Sequence, residues 1–183
     1  MQTLYRSMLL VLILVAAASA AVVDRVAVVV GKTVITESEV VQEVRLTEFQ
    51  NGQPLDLGPQ QRRDAAGRLV DQQLIRSEMA AGSYPKPTPG DAQAVLQKFR
   101  QEHYPSAAEF QAALTRYGIT EQQLQEHLLW QLSAVRFADL RFPEISEPAS
   151  ADRQAPSGDQ QMDAWLKDSR SQVRIQFRNE AFQ

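Results

Sequence analysis

His103 and His127 are the side chains best suited by type to proton transfer or metal ligation near neutral pH. They fall on different helical stretches, and neither has a carboxylate or second ligand at the spacing a helix-borne metal site uses, so both read as surface or helix-end histidines. Ser106 and Ser169 lack the strand–turn–helix setting that exposes a nucleophilic serine. Gly31 stands alone, without the glycine-rich loop that cradles a phosphate. Glu37 and Glu39 are explained by the start of a helix, whose unpaired N–H groups favour negative charge. The chain has no cysteine, which excludes disulfides and thiolate metal sites. This inventory assembles no active site and implies no cofactor and no metal.

What remains is a set of large apolar side chains at helical spacing: Met79, Phe110, Tyr117, Trp130, Phe137 and Trp165. Two readings compete. They fill an ordinary core, as such side chains usually do. Alternatively, some of them wall a cleft between a helical body and a C-terminal helix, where apolar and aromatic segments of unfolded polypeptides dock. These six are the candidate substrate-contact residues.

The elements that position them follow from periodicity and capping. Residues 26 to 30 and 33 to 35 flank Gly31-Lys32, a two-residue loop with glycine first, which suits a type II′ hairpin. Thr36 and Glu39 then form a capping box, so the second strand runs straight into a helix. Val40, Val41, Val44 and Phe49 give that helix one apolar face, and Asn51-Gly52 ends it. A second helix extends from Pro59 to about Gly82, with Leu69, Val70, Leu74, Ile75 and Met79 at helical spacing. Gly67 within it costs roughly 1 kcal/mol against alanine, which points to a close helix contact.

Thr88-Pro89 opens a third helix to about His103, with Val95, Leu96 and Phe99 inward. Ser106 starts a fourth, striped by Phe110, Ala113, Leu114 and Tyr117 and closed by Gly118. Thr120 caps a fifth, to about Phe142, with Leu124, Leu128, Leu132 and Val135 on one side. Leu129, Trp130 and Phe137 widen its apolar arc beyond one packing face.

Residues 143–159 (PEISEPASADRQAPSGD) are proline, serine and acid, the composition of a flexible linker. Beyond it, Met162, Trp165 and Leu166 fit one face of a short helix. Val173, Ile175 and Phe177 then alternate with Arg174, Gln176 and Arg178, the period of a half-buried strand. An isolated hairpin is marginal in water, so this strand is expected to join residues 26–36. The predicted class is mostly α: a helical bundle with a small antiparallel sheet formed by an N-terminal hairpin and a C-terminal strand. A helical domain over 21–142 and a returning helix and strand over 160–183 make up the organisation.

The first 20 residues read as a cleaved secretory signal. Arg6 precedes the apolar stretch from Met8 to Ala18, and Ala18-Ser19-Ala20 supplies the small residues of a cleavage site. The uncharged run to Val23 is shorter than the roughly 20 residues that span a bilayer, so stable membrane insertion is not expected. Removal of the signal leaves 18 basic against 22 acidic side chains. That balance gives no electrostatic case for nucleic acid.

The segments VVDRVAVVVGKTVITESEV, RLVDQQLIRSEMAAG, FQAALTRYGITEQQLQEHLLWQL and MDAWLKDSRSQVRIQF resemble the SurA family of periplasmic chaperones and related secreted parvulin-type prolyl isomerases. The likeness spans nearly all of residues 22–142 and 160–178. It implies a SurA N-terminal-type domain in the periplasm, acting without ATP as a holdase for unfolded exported polypeptides, outer-membrane protein precursors above all. Family members insert one or two parvulin domains between the helical body and the last helix. Here only residues 143–159 occupy that place, too few to bury an isomerase core. The resemblance therefore carries the chaperone module, with a degenerate or partner-dependent prolyl isomerase and a dedicated periplasmic assembly factor as alternatives. Oligomeric state is not legible.

Overall fold

The computed structural model describes residues 24–143 and 157–183. The expected signal, 1–20, and residues 144–156 of the expected linker lie outside the described residues. β1 (Val26–Val30) and β2 (Thr33–Thr36) form the hairpin. Gly31 has φ of 59° and Lys32 has no positive φ, as a II′ loop requires and a I′ loop does not. A third strand, β3 (Ile175–Phe177), pairs antiparallel with β1 through Val28↔Phe177, Val29↔Gln176 and Val30↔Ile175. The strand order is β2-β1-β3. The two ends of the described chain thus meet in one small sheet, as the alternation of 173–178 predicts.

The described residues also form six α-helices, of which the first two pack on the sheet: α1 (Glu37–Asn51), α2 (Pro59–Ala81), α3 (Pro89–His103), α4 (Ala107–Tyr117), α5 (Glu121–Arg141) and α6 (Gly158–Gln172). Their starts follow the sequence closely. Thr36, Thr88, Thr120 and Ser157 each close a capping box, and Ser106 caps α4. Gly52 and Gly118 end α1 and α4 in the left-handed conformation. Gly158 and Asp159 belong to α6 rather than to the linker, because Ser157 and Gln160 cap each other.

The core has three parts. Val28, Val30 and Ile35 of the sheet pack on Val40 and Val44 of α1, Ala66 and Val70 of α2, and Phe182 of a C-terminal 3-10 helix (Asn179–Phe182). Leu46 and Phe49 of α1 meet Leu96, Phe110, Leu114, Leu124 and Leu128 of α3 to α5. Ile75, Phe137 and Phe142 form the third part, with Trp165 and Leu166 of α6 against it.

Three expectations about packing are corrected. Nothing lies within 4 Å of a Cβ built on Gly67, so no helix packs against its Cα; α6 reaches this residue through the Arg170 side chain, which donates to the Gly67 carbonyl. Val135 is 57% exposed, because α5 buries Leu124, Leu128 and Phe137 and turns Val135 outward. Phe177 is also exposed, leaning on Phe182 with ring centres 6.2 Å apart.

Candidate functional site

α2 presents Leu69, Gln72, Arg76 and Met79 at intervals of three and four, hence on one face. That face does not close completely on α1 and α5. A cleft of about 340 Å³ remains, walled by Glu39, Gln42 and Glu43 of α1, Arg76 of α2, and His127 and Trp130 of α5. A second cleft of about 210 Å³ opens between β2 and α2 and shares Glu39, Leu69, Gln72 and Arg76 with the first. A third, about 270 Å³, lies past Trp130 against Met79, Pro87 and Leu129, and shares Arg76 and Trp130. The three form one branched trough.

Arg76 stands at their junction. Its guanidinium lies 4.1 Å from the centre of the Trp130 ring, a cation–π contact that holds it over the apolar wall. Partial burial lowers its pKa, against the opposing charges of Glu39 and Glu43. The Arg76 side chain makes no hydrogen bond or ion pair with the described residues, and the Gln72 side chain beside it makes no hydrogen bond with them either. Their donors are unspent.

The floor of the trough is a polar cluster. Glu43, only 5% exposed, accepts from Arg68 Nε at 3.2 Å and from the Thr47 hydroxyl at 3.4 Å. Its other oxygen lies 3.7 Å from His127 Nδ1. Gln131 pairs reciprocally with Gln50, at 3.1 and 3.0 Å, and its amide also lies 3.1 Å from His127 Nε2. A Gln131 N–H pointing at Nε2 requires that nitrogen to accept, which puts the imidazole proton on Nδ1, facing Glu43. Burial holds His127 below the ordinary imidazole value, with Glu43 acting against this and Arg68 with it. His127, its side chain 9% exposed, is therefore a neutral strut between α1 and α5, not the surface or helix-end histidine expected from the sequence. His103 is exposed in the last turn of α3 and rests on Phe99.

The six candidate contact residues divide. Met79 and Trp130 line the trough. Phe110 and Phe137 are fully buried and cannot touch a ligand, because each is enclosed by rings: Phe49 and Tyr104 around Phe110, Tyr84 and Trp165 around Phe137. Tyr117 is half-buried against Phe49, and its hydroxyl donates to the Gln53 carbonyl at 2.6 Å, tying α4 to the α1–α2 loop. Trp165 packs on Phe137 and Phe142, at 5.4 and 6.1 Å between centres, and so fills the space between body and α6 where a groove was expected.

Glu43, Gln72, Arg76 and His127 are the trough residues that apolar patterning missed. A signal for two of them exists in the sequence. Glu43 falls between Val40 and Val44 on the buried stripe of α1, and His127 between Leu124 and Leu128 on that of α5. A charge or imidazole embedded in an apolar stripe marks a buried polar cluster.

Among the described residues no group of three or more acidic or histidine side chains could hold a metal ion. No helix among them is long and apolar enough to cross a membrane. In comparison with known proteins, the chain matches no family and no curated protein.

Proposed function

We propose that the protein is a holdase: an ATP-independent chaperone of the periplasm, exported by its N-terminal signal, that binds unfolded polypeptides such as outer-membrane protein precursors. The observation that carries this reading is the branched trough, where apolar walls (Leu69, Trp130, Met79) stand beside unspent donors on Gln72 and Arg76. A chain that has not folded presents both apolar side chains and unpaired backbone carbonyls, and such a surface answers both without chemistry. Reversible capture lowers the concentration of aggregation-prone chains by mass action.

The test is dilution of a urea-denatured porin into buffer with and without the purified protein, followed by light scattering. Aggregation should slow at equimolar protein, and Trp130→Ala should weaken the protection several-fold. Unchanged scattering at several-fold excess of the unmodified protein would overturn the reading.

A further inference from the structure

The sheet has two edges, and they differ. β3 is short, and Arg174 and Arg178 flank it, charges of the kind that discourage strand addition. β2 instead borders the second cleft, with Thr33, Val34 and Ile35 on one wall and Leu69, Gln72, Gln73 and Arg76 on the other; at its Thr33 end the Gln73 amide donates across it to the Thr33 hydroxyl at 3.3 Å, so the free stretch of edge is at Val34.

The register shows which β2 groups are free. Val30↔Thr33 closes the two-residue loop and is a hydrogen-bonded pair, so the next pair, Val29↔Val34, is not. The β1–β3 bonds agree: Gly31 N–H donates to the Arg174 carbonyl at 2.9 Å and Arg178 N–H to the Ala27 carbonyl at 2.8 Å, so Val29 between them turns its own groups toward β3. Val34 therefore directs both its N–H and its C=O away from β1, along the edge that borders the cleft. Its side chain is 45% exposed. Past it the edge ends, because the Thr36 N–H is taken by Glu39 Oε2 at 2.7 Å.

We infer that the β2 edge and the facing surface of α2 bind an extended, uncharged polypeptide segment by strand addition, with Val34 supplying the main-chain pair and Gln72 and Arg76 reaching its remaining carbonyls. Three features select this occupant. An outward N–H and C=O on one residue are complementary to another extended backbone. Gln72 and Arg76 offer amide and guanidinium donors at the opposite wall. The charged side chains of this cleft are Glu39 and Arg76, which offset one another, so the wall favours neither a basic nor an acidic segment. This inference rests on the holdase reading and gives it a binding geometry.

The probe is a fluorescein-labelled decapeptide of alternating valine and threonine with a lysine at each end, titrated with the protein and read by anisotropy. Two N-methylated versions, modified at the odd or at the even residues, separate the alternatives. Strand addition uses every second N–H of the ligand, so one version should bind at least ten-fold more weakly and the other should bind within about two-fold of the parent. Val34→Pro removes the outward N–H at a position where an edge strand tolerates proline, and should weaken binding of the parent peptide at least ten-fold while circular dichroism is unchanged. Equal binding by both methylated versions would overturn strand addition, and so would failure of the unmodified protein to bind the parent peptide while still protecting the porin. Loss of both peptide binding and porin protection in the unmodified protein would bring down the holdase reading as well.

Discussion

Arg170 on α6 grips Asp71 on α2 with two parallel hydrogen bonds, each 2.7 Å, and also donates to the Gly67 carbonyl at 3.2 Å. The fork raises the Arg170 pKa, its bonds to Asp71 being the main cause. This pair fastens the returning helix to α2, as Trp165 on the same helix packs on Phe137 and Phe142. Both partners are partly exposed, 41% and 27% at the side chain, so its net worth is about 1 kcal/mol or less. Arg170→Ala and Asp71→Asn should each destabilise the protein, and a double-mutant cycle in urea should return a positive coupling that shrinks in 1 M salt. Additive losses would show that the fork contributes only geometry.

Gly67 and Gly118 should respond oppositely to alanine. A Cβ on Gly67 meets nothing within 4 Å, inside a helix where glycine costs roughly 1 kcal/mol, so Gly67→Ala should raise stability by up to about that amount. Gly118 has φ of 64°, and a Cβ there would come within 2.8 Å of Arg45 Nη1, which donates to the Gly118 carbonyl at 3.1 Å. Gly118→Ala should therefore cost about 1–2 kcal/mol. Denaturant midpoints of the two variants check both signs.

Helix limits were legible in the sequence because local chemistry sets them: a capping threonine or serine and a terminal glycine act within one turn. The sheet was legible because a hairpin cannot stand alone and residues 173–178 are the other segment with a two-residue period. What periodicity cannot show is which of several apolar faces a helix turns to which neighbour. α5 touches α1, α2, α3 and α6, so Phe137 and Trp130, both on its broad apolar arc, meet different fates, one sealed and one on the trough. The polar floor escaped for the same reason. Glu43 and His127 lie far apart in the chain, and only the packing of α1 on α5 brings them together.

That division between sealed and open aromatics predicts two kinds of variant. Phe110→Ala and Phe137→Ala empty sites that are 0% exposed and should cost about 3–5 kcal/mol, with no porin or peptide phenotype beyond the unfolded fraction. Trp130→Ala removes a half-buried ring and its contact with Arg76 and should cost roughly 2 kcal/mol or less. Its main effect should be loss of client protection at a temperature where it remains folded. Thermal melts run beside the scattering assay separate the two.

His127 makes stability depend on pH. Burial lowers its pKa below the ordinary 6.5, and the unfolded chain, which regains that ordinary value, then binds the proton more readily than the folded protein. Stability should therefore fall as the pH drops below about 6.5, until the folded imidazole itself protonates. Three neighbours set the balance: Glu43 of α1 favours the proton, Arg68 of α2 opposes it, and the Gln131 amide of α5 donates to Nε2 and so resists a second N–H there. The lowered carboxyls of Asp24 and Asp91 act in a separate window, since their contribution is present above 3.8 and is lost only as the pH falls further. Urea midpoints measured from pH 7.5 to 5.0 should decline for the unmodified protein, while His127→Gln, which keeps a neutral amide in place of the imidazole, should flatten that interval. An equal decline in both would assign the pH dependence to other groups.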